Sequence, residues 1–327
     1  MWFLRLFLLV SLSIFICSDV SRAQDCSAGT SKVAYTITVD QSGRGNFTTV
    51  QDAINSVPSH NAQWIQIHIN PGMYREQVTI LKNKPCILLE GYSSRTTKIV
   101  WDAHEQTDTS ATFTSYPDNI VAKGITFWNS YNRKLEDNNR TQALAARIYG
   151  DKSSFYSCSF LGLQDTLWDV KGRHYFKWCF IEGAVDFIFG SGQSIYRGCS
   201  IKVTADTTGY VTAQKRDSPD DPSGFVFIGG SIFGSTGEVY LGRAYGPYSR
   251  VIIDGTTLYN VVHPEGWNAW DFVGRESNFT YAEANCRGPG ADTSKRVSWE
   301  KKLTPVEIAK FRNVSFIDKE GWLTRQP

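Results

Sequence analysis

The sequence predicts an all-β fold, a parallel β-helix (solenoid) in which short strands of successive coils stack on one another. Residues 155–165 and 176–186 read alike, and each segment has an Asp seven residues after its Cys. Similar blocks align on Gly or Cys at intervals of 34, 21, 20, 31 and 25 residues, at positions 124, 158, 179, 199, 230 and 255. Irregular intervals of this size are typical of a solenoid with loops of varying length. Helical patterns between the blocks are lacking, which favours the β-helix over a β-sandwich, the alternative with many short strands.

Two short helices are predicted, one near each end of the chain. Apolar residues recur on one helical face after Thr49, at positions 50, 53, 54 and 57, and Pro58 ends the pattern. A helix here can cap the open end of the solenoid, whose strand edges would otherwise be exposed. Near the C-terminus, Thr304, Pro305 and Glu307 have the N-cap, first-turn proline and capping-box pattern of a helix over residues 305–312.

Alternating apolar residues predict the first strands of the β-helix, and a glycine predicts a turn at residues 72–74. The strands expected before the repeated blocks are 33–39, 65–69, 78–80 and 87–89.

The first 23 residues have the pattern of a secretory signal peptide. Arg5 is the positive flank, residues 6–17 are apolar, and residues 21–23 place small side chains at the cleavage positions. The apolar run is too short to span a membrane comfortably, which argues against an anchor. No low-complexity linker divides the remainder, so residues 24–327 are expected to form a single domain.

The balanced charge and the glycosylation motifs fit a secreted protein. A net formal charge of +2 does not provide the basic surface that nucleic-acid binding requires. Four Asn-x-Ser/Thr motifs are candidate glycosylation sites, at Asn46, Asn139, Asn278 and Asn313.

Asp165 and Asp186 are the candidate catalytic pair. If each repeated block is one coil, the two residues share a column, and neighbouring strands lie ~4.8 Å apart. Two carboxylates this close do not both ionise freely, which suits an acid beside a nucleophile. Asp is also common in turns, and Asp206 lies seven residues after Cys199, so the offset alone does not identify a catalytic residue. However, Asp186 lies in an apolar segment where its charge needs a cation partner, and Gln164 beside Asp165 is an amide able to stabilise an oxyanion.

Other hydrolytic chemistries lack their motifs in this chain. The sequence has no G-x-S-x-G segment, and none of its five His residues accompanies a recognisable Ser or Cys nucleophile motif. No His or Cys spacing resembles a zinc site, and a phosphate-binding glycine loop is missing. We therefore expect neither a metal ion nor a cofactor.

In its most distinctive segments the chain resembles the plant pectin methylesterases (pectinesterases), from about Val33 to Trp322. The matching segments occur in order at Gly43–Val57, Gly72–Glu76, Gln142–Arg147, Gly162–Trp168, Gly183–Gly190 and Leu241–Arg243. The resemblance implies a right-handed parallel β-helix that hydrolyses the methyl esters of galacturonate units in pectin.

The resemblance also assigns roles to individual side chains. It implies that Asp186 is the nucleophile that attacks the ester carbonyl carbon. Asp165 then protonates the departing methanol and later takes a proton from the water that cleaves the acyl-enzyme. Gln142 and Gln164 hydrogen-bond the developing oxyanion, and Arg243 pairs with Asp186, which explains how an ionised Asp persists in an apolar segment.

Four further residues are candidates for binding the sugar chain. Thr107 aligns with a substrate-contacting threonine of the family, and Tyr245, Trp267 and Trp270 are candidate platforms for sugar rings. The alternative is that one of the two tryptophans belongs to the core. Several positions depart from the family pattern, with Ala184 for Thr, Leu163 and Trp168 for Tyr, and Ala244-Tyr245 for Pro-Trp.

Six cysteines follow the signal segment, and secretion permits disulfides. Cys179 and Cys199 would stack in adjacent coils and are the proposed disulfide. The spacing also permits a bond between Cys158 and Cys179, or three buried thiols. The family resemblance favours the Cys179–Cys199 bond.

The expected partner is methyl-esterified pectin (homogalacturonan), with neither nucleic acid nor a membrane as a further partner. The family also implies separate inhibitor proteins that dock on the cleft. Only a short segment separates the signal from the catalytic motifs, so we expect a chain that is active without removal of an inhibitor-like pro-region. We also expect a monomer that is located in the cell wall. The alternatives are a β-helical glycoside hydrolase or lyase acting on the same polymer, because paired carboxylates also serve glycosidases, and a wall polysaccharide-binding protein without turnover.

Overall fold

The computed structural model describes residues 26–134 and 140–327, and these residues form the parallel β-helix expected from the repeated blocks. A complete coil contributes one strand to each of three sheets, and the strands within each sheet pair in parallel. Within the described residues, no helix is long and apolar enough to cross a membrane. The predicted signal peptide lies outside the described residues.

Three sheets of ten, eight and eight strands form the walls of the β-helix. The first sheet contains β1 (Val33–Val39), β2 (Trp64–Ile69), β5 (Ile87–Gly91), β8 (Ile120–Lys123), β11 (Ser153–Tyr156), β14 (Arg173–Lys177), β17 (Gln193–Arg197), β20 (Gly224–Ile228), β23 (Arg250–Asp254) and β26 (Thr280–Ala284). The second contains β3 (Gly72–Arg75), β6 (Thr97–Trp101), β9 (Thr126–Asn129), β12 (Ser159–Leu161), β15 (Phe180–Gly183), β18 (Ser200–Val203), β21 (Ser231–Gly234) and β24 (Thr257–Leu258). The third contains β4 (Val78–Ile80), β7 (Phe113–Ser115), β10 (Ala146–Ile148), β13 (Leu167–Asp169), β16 (Ile188–Gly190), β19 (Thr208–Gln214), β22 (Glu238–Ala244) and β25 (Trp267–Asn268).

The 21-residue repeat in the sequence is one coil of the β-helix. Ser159 of β12 pairs with Phe180 of β15, and Leu167 of β13 pairs with Ile188 of β16. Both pairs are 21 positions apart, so residues 165 and 186 occupy equivalent places in adjacent coils.

Apolar and aromatic side chains fill the interior in columns that follow the coils. The rings of Phe155, Phe176, Tyr196 and Phe227 stack in series, with centroid separations of 4.9, 4.6 and 4.7 Å. In-register parallel strands place equivalent side chains directly above one another, so one residue type recurs in each column. The resulting rigid interior supports the side chains that project outward from the same strands.

A buried network of charged and polar side chains lies on the interior side of β13, whereas the neighbouring Trp168 faces outward. The imidazole of His174 contacts Asp169 through Nδ1 at 2.5 Å and the Gly150 carbonyl through Nε2 at 2.8 Å. The hydroxyl of Tyr196 donates to the other oxygen of Asp169 at 2.7 Å. The carboxylate of Asp169 raises the pKa of His174, although burial acts in the opposite direction. Both ring nitrogens face acceptors, which indicates an imidazolium paired with Asp169.

Both predicted helices are confirmed. Helix α1 (Val50–Ser56) begins at Thr49, whose hydroxyl accepts from the Asp52 amide, and it buries its apolar face at the N-terminal end of the β-helix. Helix α2 (Pro305–Arg312) has the capping box of Thr304 and Glu307. It packs on the outer face of the first sheet, where Ile308 is buried. Short 3₁₀ helices occur at Cys26–Gly29, Tyr131–Lys134, Trp270–Phe272, Glu276–Asn278, Pro289–Ala291, Val314–Phe316 and Leu323–Arg325.

The turn predicted at residues 72–74 is wrong, because these residues belong to strand β3. They pair in register with β6, and Tyr74 points into the core while Met73 is exposed. The corner lies earlier, after β2 ends at Ile69. Gly72, the glycine on which the predicted turn was based, is therefore the first residue of β3.

The cysteine prediction also needs correction. Cys158, Cys179 and Cys199 do occupy one buried column, but all three are free thiols. Each of the two proposed partners directs its sulfur to a carbonyl of the preceding coil, Cys179 to Phe155 at 3.4 Å and Cys199 to Phe176 at 3.6 Å. Parallel stacking thus orients the sulfurs alike instead of toward each other.

The disulfide in the structure joins Cys26 to Cys86, which are 60 positions apart. It fastens the N-terminal segment to the first sheet, in a small cluster with Trp64 and Leu88. Cys286 is a further free thiol.

Candidate active site

Asp165 and Asp186 lie at the corner between the second and third sheets, immediately before β13 and β16. Both have left-handed backbone conformations, with φ of 60° and 47°, which Asp tolerates better than most residues. The amide of Asp165 donates to the carbonyl of Val185 at 3.0 Å, so the two carboxylates belong to adjacent coils. Such unusual backbone conformations often occur where function demands a fixed side-chain direction.

Two glutamine residues form the column beside the carboxylates. Gln142 pairs through its backbone with Gln164, and Gln164 pairs with Val185 of the next coil. The hydroxyl of Thr141 donates to the Gln142 side-chain oxygen at 2.9 Å. That bond orients the amide and leaves the Gln142 nitrogen as a donor for another group.

Arg243 of β22 binds the carboxylate of Asp186 through two hydrogen bonds. Its Nε donates to Oδ1 of Asp186 at 2.7 Å, and its Nη2 donates to Oδ2. The guanidinium carbon lies 4.2 Å from the ring centroid of Tyr210 and 3.6 Å from that of Trp270. A planar guanidinium suits both the bidentate bond and the stacking, so these contacts fix the direction of the Asp186 carboxylate.

The outer face of the third sheet provides the floor of the site. Backbone register aligns outward side chains across the coils, in the order Arg147, Trp168, Phe189, Ala213, Arg243 and Asn268. Trp168 stacks on Phe189 with ring centroids 5.1 Å apart. The small side chain of Ala213 separates Phe189 from Arg243 and leaves room for the guanidinium to reach back toward Asp186.

A cleft of about 380 Å³ opens above this floor and brings together most of the predicted site residues. Its lining residues are Thr107, Gln142, Gln164, Asp165, Trp168, Asp186, Phe189, Ala213, Arg243, Tyr245 and Trp270. Tyr245 is 42% exposed and stacks on Trp270 with ring centroids 5.8 Å apart, so these two residues form an aromatic wall. The cleft thus combines carboxylates, amides and flat apolar surfaces.

Trp267 does not belong to this cleft, and its prediction as a sugar platform is wrong. It is 1% exposed and stacks on Tyr281 in the core. Register explains the difference, because Trp267 pairs with inward-facing Gly242 whereas Asn268 pairs with outward-facing Arg243. Side chains alternate between the two faces of a strand, so only one of each adjacent pair can face the cleft.

Trp168, Phe189 and Ala213 line the cleft but were not predicted as site residues. The two aromatic residues follow Asp165 and Asp186 by three positions each, in equivalent places of adjacent coils. This repeated offset, combined with strand alternation, is the signal that identifies them.

Burial and mutual repulsion shift the acidity of the two carboxyl groups. Burial first, and the charge of Asp186 second, raise the pKa of Asp165 to about 8, with Arg243 acting in the opposite direction. Burial also raises the pKa of Asp186, but its two bonds with Arg243 counteract that effect. Asp186 therefore carries the charge of the pair, and Asp165 keeps its proton at neutral pH.

Asp206 does not join the column of Asp165 and Asp186, although it also lies seven positions after a cysteine. Between β16 and β19 the register offset grows, because Ile188 pairs with Thr212. The longer corner moves Asp206 to a half-exposed position, where it forms an ion pair with Arg140.

The predicted glycosylation positions are placed as follows. Asn46 and Asn313 are exposed, and Asn278 is partly exposed in a 3₁₀ helix. Asn139 lies outside the described residues. Glycan attachment at these residues stays a prediction.

Comparison with known proteins agrees with this geometry. The pectinesterase family profile matches residues 36–320. Two Arabidopsis thaliana relatives, Probable pectinesterase 29 and Probable pectinesterase 55, are 50% and 49% identical to this chain. The first match covers 88% of this chain and 89% of the relative, and the second covers 90% and 91%.

Solved structures give the same result. The pectin methylesterase from carrot has a TM-score of 0.84 at 32% identity, covering 91% of this chain and 98% of the carrot chain. The pectin methylesterase from Aspergillus niger has a TM-score of 0.78 at 28% identity, again covering 91% and 98%. With a parallel β-helix, a matching family profile and close relatives along most of its length, this chain belongs to the pectinesterase family.

Proposed function

We propose that this cleft hydrolyses the methyl esters of galacturonate units in pectin and releases methanol. Family membership supports the reaction class. The residue assignment rests on the different surroundings of the two stacked carboxyl groups. Arg243 binds Asp186, whereas no cation among the residues that the structure describes is bonded to Asp165. An ionised carboxylate beside a protonated one provides a nucleophile and an acid at the same reaction centre.

Asp186 is the nucleophile in this proposal. One of its carboxylate oxygens attacks the ester carbonyl carbon, and the carbonyl π electrons move to the carbonyl oxygen. We propose that the side-chain amides of Gln142 and Gln164 stabilise that oxyanion, and their position in the cleft lining beside the two carboxyls supports this role. Arg243 fixes the attacking carboxylate and keeps it ionised.

Asp165 is the proton donor and acceptor. When the tetrahedral intermediate collapses, the bond to the methoxy oxygen breaks, and the proton of Asp165 goes to that oxygen to give methanol. The ionised Asp165 then takes one proton from water, whose oxygen attacks the acyl carbon of the acyl-enzyme. The bond between that carbon and the Asp186 oxygen breaks, which frees the Asp186 carboxylate and galacturonic acid, and the acid releases its proton to solvent. A pKa of about 8 lets one residue hold a proton in the first step and release it during the reaction.

The aromatic surfaces of the cleft fit the sugar chain. Trp168, Phe189, Tyr245 and Trp270 offer apolar faces in the same cleft as the carboxylates. Sugar rings and the ester methyl group have C–H surfaces that pack on such faces, so these residues position the ester above Asp186.

The glycoside hydrolase and the non-catalytic binder fit this cleft less well. A glycosidase needs two carboxyls flanking the bond to the leaving group. Here Arg243 binds one of the two carboxylates, and the side-chain amides of Gln142 and Gln164 lie beside the pair. This arrangement suits a reaction at a carbonyl group. Burying two carboxyl groups that repel each other costs free energy, and a protein that only binds the polysaccharide does not need this arrangement.

We propose that the chain is secreted to the cell wall, acts as a single-domain monomer on methyl-esterified homogalacturonan, and is blocked by inhibitor proteins that cover the cleft. The cleft is open to solvent, which supports binding of a polymeric substrate and access by an inhibitor protein.

The test compares Asp186→Asn with Asp206→Asn, because both residues lie seven positions after a cysteine but only the first joins the catalytic column. Asp186→Asn should lower methanol release from methylated pectin at least ~10³-fold with an unchanged melting temperature, since an amide cannot replace the nucleophile. Asp206→Asn should keep near-normal turnover. Near-normal turnover by Asp186→Asn would overturn the nucleophile assignment.

A further inference from the structure

A second column of unusual backbone conformations runs along the corner between the first and second sheets. From β8 onward, each coil has at this corner a residue with a positive φ between 51° and 66°. The residues at this position in successive coils are Gly124, Ser157, Trp178, Gly198, Gly229, Gly255 and Asn285. Gly, Ser and Asn are small residues that suit such a turn, whereas a large aromatic side chain is a genuine outlier.

Trp178 does not compensate for this strain by burial. Its side chain is 63% exposed, so little apolar surface is removed from water. The indole lies against the next coil at Gly198, where an added Cβ would come within 2.8 Å of the Trp178 ring. The ring is therefore held at the surface by the coil beneath it, with most of its area open to solvent. Strain without burial indicates a role outside the fold itself.

Cationic side chains line the first sheet beside this tryptophan. The Nζ of Lys177 lies 4.3 Å from the Trp178 ring centroid. Register places Lys123, Tyr156, Lys177 and Arg197 in one outward column on adjacent strands. Within residues 26–134 and 140–327, none of these three cations forms an ion pair with a carboxylate. Glu90 lies next to Lys123 at one end of this column and pairs with His68. Beyond Arg197 the column continues through Ile228 to Asp254, which pairs with Arg312.

We propose that Trp178, Lys123, Lys177 and Arg197 form a second polysaccharide site, which binds the de-esterified, anionic stretches of polygalacturonate. The identity of this ligand rests on the proposed function, because those stretches are the product of the cleft. The indole face packs on the C–H face of one sugar ring, and the cations neutralise carboxylates of neighbouring units. Adjacent strands are ~4.8 Å apart, close to the length of one 1,4-linked pyranose unit, so successive carboxylates can meet successive coils.

The second site is separate from the cleft but belongs to the same coil. Strand β15 leads from the corner of Trp178 to the corner of Asp186, so the second sheet separates the two surfaces. A chain that binds product at one corner and ester at the other stays attached to partly de-esterified pectin. The site therefore lowers the KM for such a polymer and leaves short substrates unaffected.

The test separates binding from catalysis with four variants of the full-length mature protein. Trp178→Gly and Lys177→Gln remove the proposed contacts. Lys171→Gln and Tyr35→Ser are matched controls, because they remove an exposed lysine from another corner of the same coil and an exposed aromatic ring from β1. Retention by polygalacturonate in a native gel measures binding, and methanol release from a short methylated oligogalacturonide measures the cleft.

Trp178→Gly and Lys177→Gln should each weaken retention at least fivefold, raise the KM for partly de-esterified pectin, and keep turnover of the short substrate within twofold. Trp178→Gly should also melt at the same or a higher temperature, since glycine relieves the positive φ, whereas a merely structural tryptophan predicts a lower one. Wild-type retention by both variants, or equal losses in the controls, would overturn the proposal. Absence of methanol from the wild-type protein would instead contradict the proposed function, while the gel would still test this site.

Discussion

Arg243 reaches across two coils to bind both carboxylate oxygens of Asp186, a residue 57 positions earlier in the chain. Tyr210 and Trp270 hold the guanidinium between their rings. The arrangement fixes the charge and direction of one carboxylate, while Asp165 in the neighbouring coil has the higher tendency to keep its proton. The chemistry of the cleft therefore depends on contacts between coils, which only the stacked fold brings together.

Replacement of Arg243 by Lys should lower kcat by about 10²–10³-fold, because an ammonium group provides neither the bidentate bond nor the planar stacking. Weaker pairing should also raise the pKa of Asp186, so the acidic limb of the kcat/KM profile should move to higher pH. Arg147→Lys, which changes the same residue type at the far end of the outward column, is the matched control. Equal kcat for wild type and Arg243→Lys would show that charge alone is sufficient.

The pH dependence of kcat/KM should be bell-shaped. Activity requires Asp165 protonated, and its pKa of about 8 predicts a fall in kcat/KM above that pH. Activity also requires Asp186 ionised, and its raised pKa predicts a fall in acid before an ordinary Asp would titrate. Methanol release from a soluble methylated oligomer, corrected for spontaneous alkaline hydrolysis, measures both limbs. A kcat/KM that still rises between pH 8 and pH 10 would contradict the assignment of Asp165.

Asp165→Asn should stabilise the protein more at pH 8 than at pH 4. The raised pKa means that the folded state holds a proton that the unfolded state releases, so wild-type stability falls as pH rises between the two pKa values. Asn removes this penalty because it is neutral at every pH. Melting temperatures at the two pH values measure the difference, and Asp206→Asn, at a half-exposed position, should show no such trend. An equal effect of Asp165→Asn at both pH values would be incompatible with a raised pKa.

Gln142→Ala and Gln164→Ala should each lower kcat by about 10²–10³-fold, the usual loss for an oxyanion donor. KM should change little, because the bond strengthens only as the oxyanion forms. Thr141→Val should have a smaller effect of the same kind, since its hydroxyl only orients Gln142. A rise in KM with kcat unchanged would assign the amides to substrate binding instead.

Peptide mapping without reduction should find Cys26 linked to Cys86, with Cys179 and Cys199 as alkylatable thiols after denaturation. The 60-residue separation predicts that loss of the disulfide lowers the free energy of unfolding by roughly 4 kcal/mol, through loop-closure entropy. A Cys26→Ser, Cys86→Ser double variant tests this value in denaturant titrations. A linked Cys179–Cys199 peptide would contradict the structure.

Periodic and local signals made much of the fold predictable from the sequence. The 21-residue repeat gave the coil, and the capping residues around Thr49 and Thr304 gave both helices. The column shared by Asp165 and Asp186 followed from the same repeat. The pairing of Arg243 with Asp186 came only from family resemblance, because no spacing in the sequence relates strands two coils apart.

Other features depend on register and on contacts that sequence does not encode locally. Trp267 and Trp270 look equivalent in sequence, yet strand register buries the first, whereas the second begins a 3₁₀ helix after β25 and lines the cleft. Asp206 shares the cysteine offset of the catalytic residues, but a longer corner moves it out of their column. The Cys26–Cys86 bond joins segments with no common repeat.

The most direct test measures methanol release and polymer length together, with purified mature protein and highly methylated pectin. The account predicts methanol in proportion to new carboxylates, with polymer length unchanged. Shortened chains would contradict the ester mechanism and favour a glycosidase or lyase. A folded protein that binds pectin but releases no methanol would contradict catalysis by this cleft.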